Sequence, residues 1–212
     1  IPKANGKMRP LGIPAYEDKL VQSVMADILN AVYEPRFLDC SYGFRPNRKA
    51  HDVIRFINQT VMIKKVNYVL EADIKGFFDN VDHGWMMKFL EWNLRDKNLL
   101  WLIRKYLKAG IMEQGKYEAT EEGSAQGSVM SPMLANIYMH HVLTLWFKFV
   151  IQKEMKGDCF LVNFADDFVA GFQYKSEAER YYKQLKERME KFGLKLESSK
   201  SRLIEFGRFA GL

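Results

Sequence analysis

The chain is poor in the residues that would commit it to several common classes. Its two cysteines, Cys40 and Cys159, stand far apart in 212 residues. They match no metal-ligand spacing and no disulfide framework, which points to a reducing compartment. Six prolines and the lack of any Pro- or Gly-rich tract leave no linker that would divide the chain. Internal repeats and low-complexity runs are absent too. No apolar run approaches the roughly 20 residues of a membrane span, so no membrane contact is expected. The opening Ile1-Pro2-Lys3 makes no secretion signal, and no initiator Met precedes it. That suggests a trimmed piece of a longer protein.

What is present is a core and a charge imbalance. Hydrophobic residues make up 48% and aromatics 14%, enough for a substantial interior. Lys and Arg number 32 against 26 Asp and Glu, a net +6. The excess is uneven. Residues 1–65 hold eleven cations (Lys3, Lys7, Arg9, Lys19, Arg36, Arg45, Arg48, Lys49, Arg55, Lys64, Lys65) against six acids. A basic lobe beside an acidic cluster suits a polyanion whose reacting end needs a metal. A solvated basic surface would have the same composition.

The stretch Phe160-Leu-Val-Asn-Phe-Ala-Asp166-Asp167-Phe-Val-Ala-Gly-Phe172 organises the chain. Two apolar, Pro-free runs flank two adjacent acids, which reads as strand, turn, strand. Neighbouring side chains on one strand diverge, but at a turn they can converge. Two carboxylates held close repel, and a divalent cation removes that cost. Asp-Asp is also ordinary turn chemistry, so a further acid is needed.

Tyr68-Val-Leu-Glu-Ala-Asp73-Ile74 supplies one. An acid at the end of a buried strand is costly without a partner, which makes Asp73 the candidate third carboxylate. Asp82 is placed to cap the next helix, and Asp79 and His83 read as loop polar groups. Asn5-Gly6 predicts a hairpin over 1–14, with Lys3 and Arg9 across it in reach of one anion. Apolar spacing predicts a helix over 17–33 with Leu20, Val21, Val24, Met25, Ile28, Leu29 and Val32 inward. The loop Ser41-Tyr42-Gly-Phe-Arg45-Pro-Asn-Arg48-Lys49 mixes cations and aromatics, as nucleic-acid contacts do. It reads equally as a helix-entry loop. A helix over 51–63 follows, with Val53, Ile54, Ile57 and Val61 inward, then helices over 85–94 and 96–109 and a short hairpin over 111–120. Gly123-Ser-Ala-Gln126-Gly127-Ser-Val-Met-Ser-Pro132 is a Gly-rich entry to a helix reaching about residue 149. Ser176 and Glu179 predict a capping box opening a helix to Phe192, and two short strands end the chain.

Taken as an ordered set, these stretches resemble the reverse transcriptase domain of group II intron-encoded proteins. The set is Lys3…Arg9-Pro-Leu-Gly-Ile-Pro14, Ser41-Tyr-Gly-Phe-Arg-Pro46, Leu70-Glu-Ala-Asp-Ile-Lys-Gly-Phe-Phe-Asp-Asn-Val-Asp-His83, Gln126-Gly-Ser-Val-Met-Ser-Pro132 with Leu134-Ala-Asn136, Phe164-Ala-Asp-Asp-Phe168, and Gly193-Leu…Lys200. Phe164 stands where the family commonly has Tyr.

The resemblance implies an α+β right-hand polymerase, its antiparallel palm sheet backed by helices. Residues 1–65 would be fingers and 66–212 palm, with a helical finger-side insertion near 84–110. Thumb and maturase domains would be missing. Asp73, Asp166 and Asp167, with the Ile74 carbonyl, would hold two Mg²⁺ ions, Mn²⁺ substituting. Lys3 and Arg9 match the triphosphate grip and Phe78 the aromatic that excludes a ribose 2′-hydroxyl. Gln126 and Gly127 match the loop beside the incoming nucleotide. Lys200 matches the lysine proposed to protonate pyrophosphate. Tyr42, Arg45, Arg48 and Lys49 would contact RNA. Implied partners are an RNA template, a DNA primer, deoxynucleoside triphosphates and group II intron RNA, in the cytoplasm of a bacterium or in an organelle. A homodimer is expected where palm surface is left uncovered. Retron, CRISPR-associated and other bacterial reverse transcriptases share much of the pattern. A non-catalytic RNA-binding splicing scaffold is the alternative of a different class, which would not need all three acids and Phe78.

Overall fold

A computed structural model describes residues 12–113, 116–118, 123, 127–207 and 210. The predicted hairpin over 1–14, and with it Lys3 and Arg9, lies outside the described residues except at its last three positions, as does Gln126. The chain forms two compact units, one of residues 1–35 and 76–137, the other of 36–75 and 138–212. Among the described residues no helix is long and apolar enough to cross a membrane.

The first unit is helical. Helix α1 (Tyr16–Tyr33) buries Gln22, Met25, Leu29 and Tyr33. Helix α3 (His83–Asn93) starts behind its predicted cap Asp82, and helix α4 (Lys97–Leu107) behind Asp96, a cap that the spacing did not single out. Asp82 accepts from the Trp85 N–H at 2.7 Å, and Asp96 from Asn98 and Leu99 at 2.8 and 3.0 Å. Such a cap is worth about 1 kcal/mol. Met86, Leu90, Ile103 and Leu107 turn inward. Tyr33, fully buried, donates to the Phe89 carbonyl at 3.2 Å. The apolar spacing of α1 misleads, because Leu20, Val21, Val24 and Ile28 are exposed. The helix is apolar on two faces, and periodicity alone cannot say which face meets the core. Strands β2 (Ile111–Glu113) and β3 (Lys116–Glu118) pair antiparallel as the predicted hairpin.

The second unit holds a four-stranded antiparallel sheet in the order β4-β5-β1-β6, from β1 (Tyr68–Ala72), β4 (Cys159–Phe164), β5 (Asp167–Phe172) and β6 (Arg202–Glu205). The register puts Leu161, Ala170 and Leu70 abreast on one face, and Val162, Val169, Glu71 and Arg202 abreast on the other. Helix α7 (Lys175–Lys191) covers the first face with Ala178, Tyr181, Leu185 and Met189, all fully buried. Tyr181 packs on Phe172 at 5.0 Å and edges Phe147 at 5.5 Å. Each such side chain contributes about 1.5–3 kcal/mol by burial, so Leu185→Ala alone would loosen this layer. Helix α2 (Ala50–Ile63) covers part of the second face with Val53, Phe56, Ile57 and Val61 against Phe160, Val162 and Val69. Phe56 takes the inward place expected of Ile54, which is exposed. The predicted capping box at Ser176 is absent. Tyr174 precedes α7 without a side-chain cap, and Ser176 sits inside the first turn. Glu177 ties that helix end down instead, accepting from Lys156 N–H at 2.7 Å and Gly157 N–H at 3.3 Å.

A helical run over 131–154 begins as α5 (Ser131–Met139), passes two π turns (His140–Thr144 and Phe147–Ile151) and closes as α6 (Gln152–Glu154). A π turn withdraws carbonyls from the α ladder. In the second unit Arg188 answers two of them, donating to Val142 at 2.9 Å and His141 at 3.1 Å.

Candidate active site

The acids are delivered by strand ends. Strand β4 stops at Phe164 and β5 starts at Asp167, so Ala165 and Asp166 form a two-residue hairpin turn. Ala165 holds φ 59, a left-handed value that a tight hairpin demands. Asn163, buried to 1%, donates its side-chain amide to the Ala165 carbonyl at 3.3 Å.

The loop of residues 41–49 braces this turn from behind. Tyr42 N–H donates to Asn163 C=O at 2.9 Å and Asn163 N–H to Cys40 C=O at 2.8 Å. Gly43 lies against the turn so closely that a Cβ there would sit 2.2 Å from the Ala165 nitrogen. Arg45 is buried, and its Nη1 donates to the carbonyls of Leu38 and Ser41 at 2.9 and 2.7 Å. Tyr42 is buried as well, with the Arg48 guanidinium over its ring at 5.1 Å. Arg48 also pairs with Asp39 at 2.7 Å. Within the loop, Tyr42 and Arg45 therefore hold its shape, while Lys49 is exposed at the start of α2.

Strand β1 brings Asp73 to the same end of the sheet, and the segment 199–202 clasps it. Lys200 Nζ meets Asp73 Oδ2 at 2.5 Å. Ser201 Oγ accepts from the Asp73 N–H at 3.4 Å, and Arg202 pairs with Glu71 at 2.9 Å. Ile74 is buried and bridges Leu196. The bonds of that bridge are made on either side, by Lys75 N–H to Lys195 C=O and Glu197 N–H to Asp73 C=O. Ile74 is thus a non-hydrogen-bonded pair whose carbonyl stays out of the ladder.

Asp73, Asp167, Glu71, Lys200 and Arg202 line one cleft of about 550 Å³, together with Val53, Phe164 and Val169. Burial raises the Asp167 carboxyl above its usual range, and the nearby Asp73 and Glu71 charges push it further, against Lys200. Asp166, the turn residue beside it, is half-buried. Lys200 is held protonated by its bond to Asp73. Among the described residues no three His, Cys, Asp or Glu side chains are gathered into a metal site by themselves. The donors present still fit a hard divalent cation. Two carboxylates share a wall, an ammonium already rests on one of them, and phosphate oxygens and water would complete the shell. Glu71 and Arg202 are site residues that sequence patterns did not single out. The signal was available for Glu71, which stands two residues before Asp73 and so shares its face.

In the first unit, Phe78 is half-buried and edges Phe77 at 5.3 Å. Gly123, which opens the Gly-rich stretch, lies against it. Gly123, at φ 90, would place a Cβ 2.8 Å from the Phe78 carbonyl. Gly123 N–H donates to Val81 C=O at 2.8 Å, and His83 Nε2 is 2.6 Å from the Gly123 carbonyl. His83 is thereby a buried loop anchor. Further along, Gln22 Oε1 on α1 accepts from Ser128 Oγ at 2.8 Å and Val129 N–H at 3.0 Å. Gly127 is exposed at φ 109.

The family described as "Reverse transcriptase (RNA-dependent DNA polymerase)" matches residues 1–211, and the chain belongs to it. Its curated relatives narrow the kind. It is 43% identical over 156 residues to the group II intron-encoded protein LtrA of Lactococcus lactis subsp. cremoris, covering 74% of this chain and 25% of that protein. To protein YkfC of Escherichia coli (strain K12) it is 39% identical over 143 residues, covering 66% and 38%. The chain thus spans about a quarter of the length of LtrA. Among solved structures, telomerase from Candida Tropicalis in complex with a fragment of telomeric RNA aligns at TM-score 0.68, with 14% identity, over 90% of this chain and 34% of that one. At that identity the likeness is one of fold, and it fits the α+β antiparallel arrangement seen here.

Proposed function

We propose that this chain is the polymerase core of an RNA-directed DNA polymerase of the group II intron-encoded kind, acting in intron mobility and splicing. The observation that carries the reading is the cleft in which Asp73 and Asp167 meet at the ends of paired strands. Asp73, Asp166, Asp167 and the Ile74 carbonyl would hold two Mg²⁺ ions, or Mn²⁺ in their place. Bound there, such ions activate a primer hydroxyl and neutralise charge on the departing pyrophosphate. The chain's own residues orient the reactants. Lys3 and Arg9 grip the triphosphate, Gln126 and Gly127 border the incoming nucleotide, and Phe78 closes the space beside its ribose C2′. Lys200 carries the proton for pyrophosphate and must leave Asp73 to deliver it. Lys49 and Arg48 offer charge to RNA from a loop that Tyr42 and Arg45 keep in shape. Residues 1–65 act as fingers and 66–212 as palm. The partners are an RNA template, a DNA primer, deoxynucleoside triphosphates, group II intron RNA and a second copy of the chain.

Sugar selection tests this reading. A DNA primer annealed to RNA is offered matched deoxy- and ribonucleoside triphosphates in competition with Mg²⁺ present. Templated deoxynucleotide addition is expected. Phe78→Ala should admit ribonucleotides about 10–200-fold more readily, the range that steric fill can discriminate. An active Phe78→Ala enzyme with unchanged sugar preference would refute the gate.

A further inference from the structure

Helix α4 carries a second chemistry on the face that its unit leaves to solvent. Lys97, Trp101, Arg104, Lys105 and Lys108 are all exposed. At 3.6 residues per turn they fall within an arc of about 100° on the helix and its last-turn neighbour, and they span about 16 Å. No acid lies within α4; Asp96 is spent capping it. Helix α3, packed beside α4, carries Lys88 and Trp92 exposed on its own surface. Three of the chain's four tryptophans, Trp85, Trp92 and Trp101, belong to this helix pair.

Two of those indoles are held outward. Trp92 is 80% exposed and Trp101 59% exposed. Tryptophan is among the more deeply buried residues on average, so leaving two such rings in water on one helix pair forgoes sizeable burial energy. Cations lie over Trp101 and over the half-buried Trp85. Lys105 Nζ lies 5.3 Å from the Trp101 ring centre, and Lys88 Nζ lies 4.4 Å from that of Trp85. Arg104 is the one cation here with an acid across the pair, reaching Glu91 at 3.5 Å with both side chains about half exposed.

Charge alone would fit any polyanion. Flat, open rings interleaved with cations fit one whose bases are unstacked, because every base offers a π face and duplex bases are already occupied. We propose that the exposed α3–α4 face is a docking surface for single-stranded RNA, with Trp92 and Trp101 as stacking platforms and Lys97, Lys105 and Lys108 on the phosphates. It uses none of the residues that line the acid cleft and does not require the polymerase reading to hold.

The test uses the full chain and a fluorescein-labelled single-stranded RNA of mixed sequence, titrated at several salt concentrations, with duplex RNA of equal length in parallel. Trp92→Ala/Trp101→Ala should weaken single-strand binding by at least about 30-fold, the loss expected when two stacked bases worth about 1–3 kcal/mol each are removed. It should leave duplex binding within about twofold. Lys97→Ser/Lys105→Ser/Lys108→Ser should reduce the log–log salt slope by about 2, at roughly 0.7 for each single-strand phosphate that is no longer neutralised. Circular dichroism of each variant should match wild type, since every altered side chain is exposed. Asp166→Ala, in the acid hairpin, should bind the RNA as wild type does, which separates this surface from the cleft. Unchanged affinity and slope in both surface variants would overturn the proposal and leave the indoles to a protein partner. Equal losses on single-stranded and duplex RNA would overturn the stacking role.

Discussion

At the level of single residues, burial and charge set what each group can do. His140 is 6% exposed, edges Phe37 at 5.4 Å and hydrogen-bonds Thr144 at 3.2 Å. Burial, the neighbouring His141 and the Arg45 guanidinium hold it neutral down to about 4, and burial does the same for His141. In the unfolded chain both would protonate near 6.5. Between those values the unfolded state takes up protons that the folded state refuses. Stability is therefore full above about 6.5 and falls as pH drops towards 4, by up to about 3 kcal/mol for His140. Melting temperature against pH should show this decline, and His140→Gln should shallow it whatever it costs at pH 8. A profile flat from pH 7 to 4.5 would contradict the assignment.

At the level of elements, the acid hairpin and its brace are one construction. Gly43→Ala would drive a methyl into the Ala165 nitrogen, where the neighbour is backbone and has no flexible end to move. Overpacking of this kind costs about 1–3 kcal/mol, and here relief comes by shifting the turn that carries Asp166. The variant should fold, melt lower and lose far more activity than stability; a variant with lowered stability but normal extension would show that the brace does not position the turn. The hairpin itself was legible in sequence because a strand–turn–strand pattern is local, as were the Asp82 and Asp96 helix starts. The brace was not. Gly43 meets Ala165, and Lys200 meets Asp73, across more than a hundred residues of chain, and no local pattern encodes such a meeting. Local patterns also mislead where two answers fit the same residues. Helix α1 is apolar on both faces, and Ser176 has the right spacing for a cap but lies inside the first turn of its helix. Arg45 has the composition of an RNA-binding loop around it, yet its guanidinium is spent on the carbonyls of Leu38 and Ser41.

At the scale of the whole molecule, the net +6 is a balance of local opposites. Three acids meet at one cleft, where Glu71, Asp73 and Asp167 face Lys200 and Arg202. Cations are spread along α4 and the loop before α2, where an RNA backbone would find them. Under the proposed function, such a division would let the chain attract a polyanion broadly while the carboxylates of the cleft meet its reacting end. The measurement that tests this most directly is extension of a DNA primer on an RNA template, followed across a Mg²⁺ titration, for wild type, Asp73→Asn and Asp166→Ala. Templated deoxynucleotide addition that rises with Mg²⁺ is expected in wild type, and losses of at least about a thousandfold in both variants, with RNA affinity unchanged. Extension by Asp73→Asn or Asp166→Ala at near wild-type rates would contradict this, because the cleft where Asp73 and Asp167 meet would then not be where the chemistry occurs.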